Sequence, residues 1–252
     1  MASPAPRPDF NAGFFSLERL RPLLASEGVV LLRRLLPPGL LAPWAQVFAT
    51  AWQKTEERHD SGTMSEAEQL NYYRFGHPVP ALIEGFDLWI NSLFAQLPLR
   101  NLLRTLYGPE VFIMGSYSLA RIQHPELPVR ALPFHQDYEY IGAVKQAINV
   151  WIPLTPAGGD YPGLEVQVGR PDPQVLWLGQ PESERRAILD RLPSSSFWQP
   201  QLQPGDVLIF TPYTLHRTSL LPGMQHTRIS YELRICPEAD RAHTLSSLHA
   251  RG

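Results

Sequence analysis

The chain has a single cysteine, Cys236, so it can form no intrachain disulfide, and nothing in its cysteine usage points to an oxidising compartment. Lysine is almost absent, occurring only at Lys54 and Lys145. The 22 basic residues face 24 acidic ones and include no cluster able to neutralise a row of phosphates, which argues against a nucleic-acid partner. No apolar run approaches the roughly 20 residues of a membrane span. The opening Met1-Ala2-Ser3-Pro4 lacks both an apolar signal core and the Gly at position 2 that myristoylation requires. The expectation is a soluble, cytoplasmic protein with no membrane partner. The preference for Arg over Lys suits a GC-rich bacterial genome.

Proline, by contrast, is abundant. Its 26 occurrences are about twice the usual share of roughly 5%. They fall between apolar runs, as in a loop-rich β protein whose turns are stiffened by a fixed φ. With 44% hydrophobic and 18% charged residues, 252 residues can bury the core of one domain. Residues 1–13 are expected to be flexible, 14–110 to form mostly helical support, 111–236 to form a jelly-roll core and 237–252 to be a tail. Apolar spacing predicts helices over 17–24, 39–57, 80–97 and 99–107, with a short strand at 28–32. The polar stretch 59–80 reads as a long loop or lid. Strands are expected at 111–124, 131–135, 145–153, 163–168, 206–211, 215–220 and 226–236. Helices first and strands later, without βαβ alternation, favour a cupin-like double-sheet jelly roll over a doubly wound parallel sheet.

The chemistry concentrates in Phe134-His135-Gln136-Asp137. On an extended segment, side chains two residues apart share a face, so His135 and Asp137 project together. A third ligand from a more distant His would complete a facial set of two His and one carboxylate, which suits non-haem Fe(II) and leaves positions for a chelating co-substrate and O2. His59, His77, His243 and His249 lie in expected loops or termini and read as surface residues. His216, His124 and His226 are the candidates. In Arg228-Ile229-Ser230-Tyr231-Glu232-Leu233-Arg234-Ile235, polar and apolar residues alternate. In a double-sheet fold this would aim Arg228 and Ser230 inward and bury Ile229 and Tyr231 under helices. An arginine clamp for a carboxylate could be Arg228, Arg234 or Arg217.

The order His135-x-Asp137, His216, Arg228-x-Ser230 resembles the Fe(II)/2-oxoglutarate-dependent dioxygenases. Arg121-Ile122-Gln123, the Leu132–Asp137 block, Asn149-Val150-Trp151-Ile152-Pro153-Leu154 and Gln203-Pro204-Gly205-Asp206-Val207 are similar to blocks of the phytanoyl-CoA dioxygenase-like branch. The resemblance implies a double-stranded β-helix buttressed by the N-terminal helices. It implies Fe(II) on His135, Asp137 and His216, the histidine that keeps the family order. It also implies 2-oxoglutarate held by Arg228, with Gln123, Thr218, Ser230 and Asn149 in support. The reaction implied consumes O2, releases succinate and CO2, and hydroxylates or desaturates a small molecule. Tyr73 and Arg74 of the lid, Arg121, Tyr138, Tyr140 and Trp151 are the expected substrate contacts. Asp137 weighs against halogenation, whose enzymes in this superfamily lack that carboxylate. Relatives carry a Gly-rich block ending in Gly-Ser-His where this chain has Gly163-Leu164-Glu165-Val166-Gln167-Val168-Gly169-Arg170, so phytanoyl-CoA itself is not the expected substrate. The competing reading is a cupin-like binding protein without turnover.

Overall fold

The computed structural model describes residues 7–127, 131–138, 140–141, 144, 146–169, 176, 179–237 and 247–249. The N-terminal part contains β1 (Asp9–Asn11), α1 (Leu20–Glu27), β2 (Val29–Arg33), α2 (Pro38–Asp60), α3 (Glu66–Phe75), α4 (Phe86–Phe94) and α5 (Leu97–Tyr107). Then follow β3 (Val111–Met114), β4 (Leu119–Gln123), β5 (Ile148–Pro153), β6 (Gly163–Gln167), α6 (Glu182–Leu189), β7 (Phe197–Trp198), β8 (Val207–Phe210), β9 (His216–Ser219), β10 (Arg228–Pro237) and β11 (Ser247–His249).

The larger sheet runs β1-β2-β8-β5-β10-β3-β11, and β4 also pairs with β10. The smaller runs β7-β6-β9, and a bridge between His135 and His216 adds the segment around His135 to β9. The chain therefore winds between the two sheets. β4, β5, β8 and β10 lie in the larger, while the His135 segment, β6 and β9 lie in the smaller. This is the expected double-stranded β-helix.

β10 is the spine of the larger sheet. β4 pairs with its first half, from Arg228↔Gln123 to Glu232↔Leu119, and β3 with its end, while β5 pairs from Ser230↔Pro153 to Ile235↔Ile148. Its alternation divides two environments. Ile229, Tyr231, Leu233 and Ile235 belong to the core beneath the helices, where Phe48 of α2 stacks on Tyr231 at 5.9 Å and Trp89 of α4 meets it edge-on at 5.6 Å. Burying each such side chain contributes about 1.5–3 kcal/mol. Arg228, Ser230, Glu232 and Arg234 face the space between the sheets. Val29, Leu31, Trp151, Leu164, Val166, Leu208 and Phe210 fill one end of that space. Cys236 packs at the other end with Phe112, Met114 and Ile141.

Gly205, just before β8, has φ +106°, and a Cβ there would lie 2.7 Å from the Leu36 carbonyl oxygen. Only glycine allows this close approach, in which Leu36 N–H donates to the Gly205 carbonyl at 2.9 Å.

Several expectations change. Within 59–80, α2 runs on to Asp60 and α3 is a helix rather than a loop. Ser65 caps it in a capping box with Glu68, and Gly76 closes it at φ +65°. The helix expected over 80–97 shortens to α4 because Gly85 turns left-handed immediately before it. The strand expected over 111–124 splits at a 3-10 turn, Gly115–Tyr117. Over 131–135, only His135 makes a strand-like bridge. Part of the N-terminal segment expected to be flexible forms β1, whose Asp9 pairs with Arg33, and β11 lies within the expected tail; residues 1–6, 238–246 and 250–252 lie outside the described residues. Among the described residues no helix is long and apolar enough to cross a membrane.

Candidate metal centre

His135 and His216 exchange backbone hydrogen bonds of 2.9 and 3.0 Å, which sets their rings 4.3 Å apart. Asp137, two residues on, brings Oδ1 to 3.5 Å from His135 Nε2 and 3.9 Å from His216 Nε2. Ligand atoms of the three buried residues all lie within 4.8 Å of one another. His135 Nδ1 is 2.8 Å from the Pro133 carbonyl oxygen and His216 Nδ1 is 3.0 Å from that of Thr214. A carbonyl only accepts, so each Nδ1 carries the hydrogen. In the neutral ring Nε2 is then left with its lone pair toward the shared point. Burial, with the neighbouring His135 adding to it, pulls the His216 pKa down to about 4. Burial pushes the Asp137 carboxyl up, but the Arg234 guanidinium, foremost, outweighs it and holds it well below the usual carboxylate range. Two neutral nitrogens and one carboxylate oxygen on one side of a buried point match the donor set of a non-haem iron site.

Arg234 holds the other side of Asp137. Its Nη2 donates to Asp137 Oδ2 at 2.9 Å and to Glu232 Oε2 at 3.0 Å, and its Nη1 donates to the Tyr117 carbonyl. Glu232 also faces Arg121, whose Nη1 is 3.7 Å away. The two guanidiniums keep Glu232 low despite the opposing effect of burial.

Arg228 is fully buried. It donates to the Gly163 carbonyl at 3.0 Å through Nη1 and lies 5.5 Å over the Trp151 ring. It has no ion pair, and Nε and Nη2 find no hydrogen-bond partner among the described residues. Burial, and after it the charge of Arg121, lowers its pKa to about 9, so it stays cationic at neutral pH. Ser230 Oγ and, across the pairing with β4, Gln123 Oε1 are also buried without partners among the described residues, as are both amide atoms of Asn149 further along the sheet, opposite Arg234. Buried polar groups are ordinarily satisfied. An unpaired guanidinium beside a free hydroxyl and an amide is the complement of a carboxylate-bearing ligand.

In front of the ligands lies a cavity of about 500 Å³. Of the expected substrate contacts, Arg74, Arg121 and Tyr140 line it. Tyr73 does not: on α3, Leu70 and Arg74 are one turn apart and share the cavity face, while Tyr73 meets His59 edge-on and bonds to its ring through the hydroxyl. Tyr138 alternates away from Asp137 and stacks on Tyr213 at 4.7 Å. Trp151 is inner-face core beside Arg228, and Thr218 Oγ1 accepts from the Leu132 N–H at 3.2 Å. Of the rivals, Arg217 points away and pairs with Glu165, His124 sits beside Glu126, and His226 stacks on Tyr161. His243 and the His249 side chain lie outside the described residues.

Glu232 and His77 are among the cavity residues that went unrecognised as site residues. Glu232 continues the even-numbered alternation after Arg228 and Ser230, a signal already present in the sequence. His77, expected on the surface, is buried, lines the cavity, and donates through Nδ1 to the Ala120 carbonyl at 2.7 Å. No local pattern marks it.

Residues 24–220 match the family model of phytanoyl-CoA dioxygenase (PhyH). The chain is similar to 1-deoxypentalenic acid 11-beta-hydroxylase of Streptomyces arenae, 27% identical over 149 residues, covering 52% of this chain and 51% of that protein. The chain thus spans about half the length of this curated relative. Its fold is that of a non-heme alpha ketoglutarate dependent carbocyclase from nogalamycin biosynthesis, SnoK (TM-score 0.58, 14% identity, 97% of this chain and 90% of that one). It is also that of AviO1 from Streptomyces viridochromogenes Tue57 (TM-score 0.56, 18% identity, 89% and 97%).

Proposed function

From the premise that this chain belongs to the phytanoyl-CoA dioxygenase family, we propose that it is an Fe(II)- and 2-oxoglutarate-dependent oxygenase that hydroxylates or desaturates a small molecule. The observation that carries the reading is the convergence of His135, Asp137 and His216, in a fold that also buries the Arg228 guanidinium without an ion pair among the described residues. The three ligands would hold the metal, and Arg228 with Ser230 would hold the distal carboxylate of 2-oxoglutarate, with Asn149 and Gln123 offering further polar contacts. Bound there, iron and 2-oxoglutarate supply oxidative decarboxylation to succinate and CO2, with oxidation of a substrate C–H bond by O2.

The chain's own part is placement and exclusion. The Pro133 and Thr214 carbonyls fix which imidazole nitrogen is free, Arg234 orients Asp137, and Trp151 walls one side of Arg228. α3 covers the cavity with Leu70 and Phe75, keeping water from the reacting centre. The Streptomyces arenae relative acts on 1-deoxypentalenic acid, an organic acid, which supports a small-molecule substrate here. A cytoplasmic location, compatible with the lone Cys236, belongs to the same proposal.

The test is an anaerobic titration of Fe(II) and 2-oxoglutarate into metal-free protein, following the visible charge-transfer band of the chelate. The band should vanish in His135→Ala and require far more 2-oxoglutarate in Arg228→Ala. A wild-type protein that forms no band would overturn the assignment.

A further inference from the structure

Resting on the oxygenase reading, we propose that the cavity in front of the metal ligands takes a largely apolar substrate bearing one carboxylate, anchored by Arg121. In the loaded site a divalent metal, the Asp137 carboxylate, a 2-oxoglutarate dianion and the Arg228 guanidinium cancel. Among the described residues, what remains facing the space between the sheets is two guanidiniums, Arg121 and Arg234, against one carboxylate, Glu232. One positive charge is left over.

The hydrogen bonds locate that excess. Arg234 is engaged by Asp137, Glu232 and the Tyr117 carbonyl. Arg121, only 4% exposed, is not so well served. Its Nε donates to the Phe75 carbonyl at 2.9 Å, its Nη1 stands 3.7 Å from Glu232, beyond hydrogen-bond range, and its Nη2 has no partner among the described residues. Leaving a buried charged donor unsatisfied is costly, and a ligand acceptor removes that cost. Arg121 lines the cavity, so the acceptor can come from a bound molecule.

The surroundings narrow the class. His77, beside Arg121, is kept neutral by burial and supplies no competing charge. Leu70, Phe75, Leu119 and Leu132 give the wall an apolar stretch beside Tyr140 and Gln136, and Arg74 at the exposed rim carries the sign that draws in an anion. A neutral substrate would leave the excess charge buried, and a cation would be repelled by it. A monoanion balances it.

The experiment uses protein loaded anaerobically with Fe(II) and 2-oxoglutarate, titrated calorimetrically with adamantane-1-carboxylate and with adamantane-1-carboxamide, a neutral probe of the same shape. The carboxylate should bind at least about tenfold more tightly, the factor expected for one well-placed charged hydrogen bond. Arg121→Gln should erase that preference. If this variant loses the chelate band through misfolding, Arg121→Lys, which keeps the charge but not the planar fork, should lower the preference at least about threefold. Equal binding of the two probes, binding of neither, or a preference that survives substitution of Arg121 overturns the proposal. The band is recorded before any probe is added. Its absence in wild type sinks the oxygenase reading and this proposal together, whereas a normal band without acid preference sinks this proposal alone.

Discussion

Arg234 donates to Asp137 Oδ2 at 2.9 Å and so leaves Oδ1 as the carboxylate oxygen turned toward the two imidazoles. The pair is buried, and the same guanidinium nitrogen also holds Glu232, so the orientation of Asp137 is set before any metal arrives. Partners of this kind typically account for about 10–100-fold in metal affinity. Arg234→Gln is therefore expected to weaken Fe(II) binding by about that factor in anaerobic calorimetry. Arg217→Gln, which removes a pair with Glu165 and a contact with the Phe134 ring but none with the ligands, should leave it unchanged. Equal affinities in wild type and Arg234→Gln would reduce the contact to a structural one.

Among the described residues Arg228 has no counter-ion. Replacing an uncompensated buried charge by an apolar side chain of similar length is neutral or stabilising. Arg228→Met should thus melt at or above the wild-type temperature when free of ligand, yet lose the stabilisation by 2-oxoglutarate, which at 100 times Kd is about 2.7 kcal/mol in wild type. Thermal melts with and without metal and 2-oxoglutarate check both halves. A variant still stabilised to the wild-type extent would remove Arg228 from the co-substrate site.

His77 is buried in its neutral form, with burial first and Arg121 second lowering its pKa from 6.5 to about 4. Between these values the unfolded chain binds the proton and the folded one does not. The contribution is therefore complete above about pH 6.5 and is lost as the pH falls toward 4. In metal-free protein His216 acts in the same direction. His77→Gln should flatten the acid limb of stability measured by urea unfolding, removing about 1–3 kcal/mol of its pH dependence. An acid limb identical to that of wild type would mean that His77 does not contribute.

Gly205 combines φ +106° with a site where a Cβ would press on the Leu36 carbonyl. Gly205→Ala is expected to cost about 2 kcal/mol or more, because strain and steric displacement add. Urea denaturation should show the loss as a lower midpoint with an unchanged slope.

The capping box at Ser65 holds the start of α3, the helix that brings Leu70 and Arg74 to the cavity. Ser65→Ala should destabilise this helix by about 1 kcal/mol. Hydrogen exchange over residues 66–75 should accelerate about fivefold while β5 and β10 keep their protection, and uniform acceleration would show that α3 does not open on its own.

Some of this arrangement is local and could be read directly from the chain. His135 and Asp137 share a face because a strand repeats every two residues, and the same period in 228–235 separates the site-facing arginines from the residues beneath the helices. The long apolar faces of α2 and α5 announced themselves by their spacing. α3 did not, because its residues are mostly polar; its only local signals are Ser65-x-x-Glu68 and Gly76, which specify its ends and not its existence.

By itself, then, the sequence determined the strand periods, the helix faces and the chemical identity of the ligands. The tertiary structure decided which distant groups meet: His216 with His135 across a strand bridge, Arg234 with Asp137 across the sheets, and His77 beside Arg121. It also turned Tyr73 and Tyr138 away from the cavity. The reason is physical. Periodicity follows from backbone geometry that every residue carries locally, whereas the pairing of charges and the burial that shifts their protonation exist only once segments far apart in the chain have closed around one space.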